Sequence, residues 1–244
     1  MGHCLFLRKG EVHTPPVTGV LASSLAVGST VKLMEGGTVV EYLVVNQGIP
    51  ENSSLYDASC DGTWLLRKDC HSSRSWHTSN INDYANSFIN AWLNGAFFSS
   101  FGGVEQSAIK QVKIPYRKNG GSGGTDQSGA NGLPCKIFLL SGYEVGWTTS
   151  DRQYFPQDGA KLSYFESGTG ASANNKRIAY LNGSAVSWWL RSPCTDNTDL
   201  VWFAHYVGNF SNASASVSFG IRPALILPSN ALFDKTTMIL KGVK

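Results

Sequence analysis

Between residues 30 and 45, β-branched and apolar positions alternate with polar ones on both sides of Glu35-Gly36-Gly37. Alternation of period two around a short glycine turn predicts a β-hairpin, with strands over 30–33 and 38–45. A further strand is predicted over 63–66. The period then changes. Ile81, Tyr84, Phe88, Ile89, Trp92 and Leu93 recur at helical spacing, with Asn80 or Asn82 available as the cap and Gly95 as the stop, which predicts a helix over 82–94. A second, shorter helix is predicted over 104–112, with Ile109 and Val112 inward. Residues 119–132 hold Gly and Ser without one large apolar side chain, the pattern of a flexible surface loop.

Beyond it the pattern predicts short strands over 136–140, 178–181 and 187–190, with one helical turn over 143–145. Alternating pieces follow over 201–207 and 215–219, broken by Gly208 and Gly220, and 221–227 is an apolar run interrupted by Arg222-Pro223. Strands outnumber the two helices, which lie in the first half. The expected class is α+β, with short mixed and antiparallel strands and long loops. The expected organisation is an arm over 1–20, marked by Thr14-Pro15-Pro16, and one domain over 21–244.

Composition narrows the function. Charged residues make up only 15% of the chain and its net charge is +3, so nucleic acid is not an expected partner. Lys113, Arg117 and Lys118 read as a solvated helix end or loop. The five cysteines form no C-x-x-C pair; Cys60 and Cys70 are close enough in sequence to bridge, and buried free thiols are the simpler expectation. The apolar run 4–7 precedes Arg8 and Lys9, too short and in the wrong order for a signal peptide. No stretch approaches the ~20 apolar residues of a membrane-spanning helix, so membrane insertion is not expected. The expected route to any exterior is assembly into a particle.

Chemistry-bearing patterns are sparse. Gly120-Gly121-Ser122-Gly123-Gly124 matches the G-x-S-x-G nucleophile pattern, but that elbow needs a strand before it and a helix after it, and here both flanks are polar. Asp69, Cys70, His71 and His77 cluster in sequence, yet their spacing suits neither a helical ligand pair nor a zinc finger. No phosphate-cradling or dinucleotide motif appears. No catalytic residue, metal or cofactor is expected.

The carboxy-terminal third is more informative. Trp188-Trp189-Leu190-Arg191-Ser192-Pro193 is followed by Gly220-Ile221-Arg222-Pro223-Ala224-Leu225. Adjacent Trp residues on a strand face opposite sides, and an Arg among apolar residues is ordinarily paired. Between these brackets the insert 194–220 contains no Lys, Glu, Gln or Met, and Trp202 is its only Trp. The missing types are those that an Asn codon cannot reach by changes at its two adenines. Tyr, Phe and His supply contact area at low rotamer cost, and Ser, Asn and Gly supply adaptable hydrogen bonds, the composition of a paratope. Val201 and Val217 are expected inside; Phe203, His205, Tyr206, Asn209 and Phe219 are expected at the surface.

These paired motifs resemble the variable proteins of diversity-generating retroelements, and a related domain family of gut bacteria and their phages. The likeness extends to Trp92-Leu93-Asn94-Gly95, to Lys136-Ile137-Phe138-Leu139-Leu140-Ser141 and to Arg177-Ile178-Ala179, and covers roughly residues 20–227. It implies a C-type-lectin-like fold with a reverse-transcriptase-mutagenised region at about 194–219. The mutated, ligand-binding positions it implies are Asp196, Asn197, Asp199, Leu200, Phe203, His205, Tyr206, Val207, Asn209, Ser211, Asn212, Ser214 and Phe219. Trp188, Trp189, Arg191, Trp202 and Arg222 are implied to be fixed scaffold. The implied partner is a protein or glycan receptor on a target cell, met by a homotrimer on a phage tail or a cell surface.

The calcium-binding motifs of sugar-binding C-type lectins are absent, as is a clear counterpart of the cysteine pair of formylglycine-generating enzymes, which share that fold. A non-diversified lectin-like adhesion module is the alternative; an enzyme on the formylglycine-generating scaffold is a third reading, and needs a reactive thiol at Cys135 or Cys194.

Overall fold

A computed structural model describes residues 19–244. The expected arm 1–20 lies outside the described residues save its last two, and Val20 already belongs to a strand, Val20–Leu21, paired with Ala231–Phe233.

The architecture is α+β, rich in strands and built on two five-stranded sheets. The first hairpin forms as its alternation requires: β1 (Thr30–Glu35) and β2 (Thr38–Gln47) pair from Glu35↔Thr38 to Thr30↔Leu43. Gly36 and Gly37 turn the chain with φ of +59° and +77°, a region that only glycine enters freely. β3 (Thr63–Arg67) joins β2, and the short β4 (Ser72–Ser75) leaves for the second sheet.

β5 (Ile137–Phe138), β6 (Trp188–Pro193), β7 (Leu200–Ala204), β8 (Phe210–Ser214), β9 (Ser218–Ile221) and β10 (Ala224–Leu227) complete the two sheets. The first has the order β5-β10-β3-β2-β1 and the second β8-β7-β6-β9-β4. Pairings are antiparallel except β6 with β9, which runs parallel. The chain crosses from the second sheet to the first between Ile221 and Ala224, at Arg222-Pro223, where proline ends one ladder and frees the strand to begin another.

Three α-helices are present among the described residues. α1 (Phe88–Trp92) runs on as a π-turn over Leu93–Phe97. It begins later than the spacing predicts: Ser87, not Asn80 or Asn82, caps it by accepting from the Asn90 N–H, and Gly95 lies inside the π-turn. Asn82 has a different task, described below. α2 (Gly103–Ala108) is shorter than expected, and Val112 belongs to a strand, Val112–Ile114. α3 (Ala171–Arg177) is not anticipated by the pattern, since Ala173 and Arg177 are its only buried members. A stripe that includes an arginine does not read as an apolar face. Its position corrects the expectation that all helices lie in the first half.

The glycine-rich segment 119–132 is also corrected. It contains the strand Thr125–Gln127, paired with Tyr116–Lys118, and Gly120 and Gly121 are buried. Glycine there permits close backbone packing rather than freedom.

Candidate recognition surface

β6 carries the framework. All six of its residues are buried, and its two tryptophans face opposite sides as period two demands. The Trp188 indole donates to the Arg177 carbonyl at 2.8 Å, and the Arg222 guanidinium lies 5.1 Å from its ring centroid. The Trp189 indole donates to the Arg74 carbonyl at 3.2 Å, and its ring meets Phe219 and Phe203 at 4.8 and 5.9 Å.

Arg191 is wholly enclosed. It donates to the carbonyls of Pro115 and Leu139 and grips both carboxylate oxygens of Glu144. Ser192 accepts from the Gly142 N–H and donates to Asp158 Oδ2 at 2.7 Å. Burial raises the Asp158 carboxyl to about 7, against the pull of Arg191 and the Ser192 hydrogen bond. Arg222 donates to the carbonyls of Arg67 and Lys68, and burial lowers its pKa.

The insert begins as fixed structure. Asn197 Oδ1 accepts from the N–H groups of Asp199 and Leu200 at 2.7 and 3.0 Å, a side-chain-closed turn. Asn82 Nδ2 donates to the Asn197 and Leu200 carbonyls, while its Oδ1 accepts from the Gly121 N–H. The Ser122 N–H donates to the Asn197 carbonyl. Asn82 and the glycine segment therefore clamp the start of the insert, and Ser122 belongs to that clamp, with no helix behind it.

β7 follows. Trp202 stacks on Phe155 at 4.3 Å and donates its indole N–H to the Tyr154 carbonyl at 3.1 Å. β7 pairs with β8 across a turn in which the His205 N–H donates to the Asn209 carbonyl and the Gly208 N–H to the His205 carbonyl. Gly208 has φ of +86°, and a Cβ there would overlap the Asn174 backbone of α3. The unpredicted helix thus supports the turn.

The implied binding positions fall into two groups at opposite ends of this hairpin. Leu200 to Ala204 spans about 13 Å of strand. At one end lie Asp196, Asn197, Asp199 and Leu200, with Ser214 nearby, whose hydroxyl donates to Asn80 Oδ1. Asp196 is exposed and the others are half-buried. At the other end are His205, Tyr206, Val207 and Asn209, with Tyr206 50% and Val207 45% exposed. His205 is half-buried and packs against Tyr206 at 4.1 Å. Ser211 and Asn212 are half-buried along β8 between them, and half-buried Phe219 reaches the turn end from β9.

Two expectations of exposure are reversed. Phe203 is only 5% exposed: β7 has neighbours on both sides, and the ring is held at 4.3 Å from Phe219. Val217, expected inside, is 39% exposed, because the chain turns after Ala215 and enters β9 only at Ser218. Val201 is buried, as expected.

A groove of about 240 Å³ opens beside the turn, lined by Tyr206, Phe219, Ser73, Ser187, Leu181 and Val186. The last four lie outside the insert, on segments whose sequence carries no paratope-like bias. Tyr180, on the strand Ala179–Leu181 that supplies Leu181 to the groove, is exposed.

The described cysteines Cys60, Cys70, Cys135 and Cys194 are buried and free. Burial raises every one of these thiols, Cys60 to about 12 and Cys70 to about 11, and Cys135 and Cys194 further still. Burial therefore disfavours a thiolate nucleophile at the two positions the enzyme reading needs. His71 is half-buried and packs against Trp92 and Phe97. Among the described residues no group of three His, Cys, Asp or Glu side chains is placed to hold a metal ion, and no helix is long and apolar enough to cross a membrane.

A family described as a domain of unknown function, DUF6273, matches residues 61–229. The chain belongs to this family. The DUF6273 match runs from the turn before β3 to the end of β10, so it contains the whole second sheet, the Asn82 clamp and the insert. No curated protein and no solved structure matches the chain.

Proposed function

We infer that this DUF6273 domain is a receptor-binding protein of C-type-lectin-like fold, which presents a retroelement-diversified surface for host attachment by a phage. It is not an enzyme in this reading, and its partner is a protein or glycan receptor on a target cell. One observation carries the reading: Trp188, Trp189, Arg191, Trp202 and Arg222 are none of them more than 3% exposed, while Tyr206 and Val207, on the turn they hold, are about half exposed. A stiff framework of that kind lets turn side chains change without loss of the fold. A homotrimer on a tail or cell surface would add avidity.

The test has two arms. The coding region for 194–219 should have a near-copy in the neighbouring genome that differs only at adenines, beside a reverse-transcriptase gene. The labelled chain should bind cells of the host, and Tyr206→Ala with Val207→Ala should abolish that binding. Unchanged cell binding by the double variant overturns the recognition reading.

The same surface without diversification is the second reading. It is favoured by Asn197, whose side chain closes the turn at the start of the insert, so that free variation there would undo the turn. A missing near-copy together with Tyr206-dependent cell binding decides for it.

A further inference from the structure

The two five-stranded sheets have four edge strands; two are capped by hydrogen bonds and a third, β4, is flanked by a helix. On β5, Asn94 Oδ1 accepts from the Lys136 and Ile137 N–H groups while its Nδ2 donates to the Ile137 carbonyl at 2.9 Å. On β1, the Lys32 N–H donates to the Met238 carbonyl, the Met34 N–H to Glu105 Oε1, and the Met34 carbonyl accepts from Gly102. Beside β4 runs α1, whose Ile89 N–H donates to the Trp76 carbonyl just past the strand and whose Trp92 lies under the Arg74 guanidinium at 4.2 Å.

β8 is treated differently. The bonds His205 N–H to Asn209 and Ala215 N–H to Asp199 set the phase of the β7–β8 ladder, in which 209, 211, 213 and 215 face β7. Residues 210, 212 and 214 therefore turn their peptide groups outward. The Ser214 carbonyl accepts from Val217. The N–H and C=O groups of Phe210 and Asn212 have no partner among the described residues. Nor is this edge blunted in the ways native edges usually are. The register shows no bulge, and residues 200–220 contain no Asp, Glu, Lys, Arg or Pro.

We propose that β8 is a strand-addition site, at which an extended segment of a partner polypeptide joins the second sheet as its sixth strand. The proposal rests on the recognition reading above and names its ligand chemistry: a peptide, contacted through its backbone by Phe210 and Asn212 and through its side chains by the turn 205–209. Two donors and two acceptors at strand spacing match a peptide, whose groups repeat every two residues. They do not match the hydroxyl pattern of a glycan. A second copy of this chain is a poorer occupant. A stable dimer buries on the order of 1,000 Å² or more, whereas the open edge is one short strand of about 17 Å.

The experiment selects binders to the full chain from a library of random linear dodecapeptides, then remakes each with single N-methyl groups along its backbone. N-methylation removes one N–H and leaves every side chain in place. The expected result is parity: methylation at alternate residues weakens binding about tenfold, the size of one or two backbone hydrogen bonds, and methylation between them has little effect. Asn212→Pro, which removes an outward N–H without touching the β7 ladder, should weaken the same peptides about tenfold. If that variant misfolds, the methylation series decides alone.

Failure to select peptides, binding without parity, or a chain dimer that Asn212→Pro dissolves each overturns strand addition. Tyr206-dependent cell binding together with any of these leaves the recognition reading standing and strand addition refuted. Parity with Tyr206-independent cell binding refutes the recognition reading and leaves the edge as a peptide site.

Discussion

Arg191 Nη1 and Nη2 meet Glu144 Oε2 and Oε1 at 2.6 Å each, with neither side chain exposed. Glu144 also accepts from the Tyr56 hydroxyl and the Ser141 N–H, both at 2.9 Å. This pair ties β6 to the segment 139–146 and to Tyr56, far apart in sequence. Its worth lies in completeness, since a buried charge is costly unless every polar atom around it is satisfied.

Glu144→Gln leaves the Arg191 charge buried without its counter-ion. It should cost roughly 3–5 kcal/mol of stability in urea unfolding, the penalty for breaking a buried pair from one side. Replacing both partners, Arg191→Met with Glu144→Leu, should cost distinctly less than the sum of the single changes. An additive result would show that the two side chains are not coupled.

Asp158 gives stability a pH dependence. Burial raises its folded pKa to about 7, while the unfolded group titrates near 4. Between about pH 4 and 7 the folded state therefore holds a proton that the unfolded state has lost. Stability due to this group falls as pH rises through that window, with a slope of up to about 1.4 kcal/mol per pH unit, and levels off above it. Asp158→Asn should remove this component of the slope in urea unfolding measured from pH 4 to 8; an unchanged slope would contradict the assignment.

Trp202 and Tyr206 lie four residues apart and should respond oppositely. Trp202→Ala removes a buried ring and should cost about 3–5 kcal/mol. Tyr206→Ala, on the exposed turn, should change stability by less than about 0.5 kcal/mol and show its effect only in ligand binding. Thermal unfolding of both variants separates framework from surface, and a large loss from Tyr206→Ala would place the turn in the core.

Gly121→Ala puts a methyl group against the Asn197 and Cys194 carbonyl oxygens, which are backbone and cannot swing away. The expected loss is about 1–3 kcal/mol from overpacking, with faster amide hydrogen exchange in residues 194–200. Exchange that stays as slow as in the parent chain would show that the Asn82 clamp does not hold the insert.

The four buried thiols should be silent toward a thiol reagent in the native chain and react together on unfolding. Rapid native modification of Cys135 or Cys194 would reopen the enzyme reading.

Local pattern alone determined the β1–β2 hairpin, the strand at 63–66 and the break at Arg222-Pro223, because turn chemistry, alternation and proline act over a few residues. The same short-range logic marked the tryptophans and arginines of the two bracketing motifs as interior. What lay beyond it depended on partners distant in sequence. Ser87 displaced Asn82 as the cap of α1 because Asn82 is bound to Asn197 and Gly121, more than thirty residues away on either count. The glycine segment became a packed clamp for the same reason, and Phe203 was enclosed because β7 gained a neighbour on each side and Phe219 from β9. Only the tertiary structure could decide which insert residues meet solvent: exposure is set by what folds against a residue, and periodicity records only which way it points.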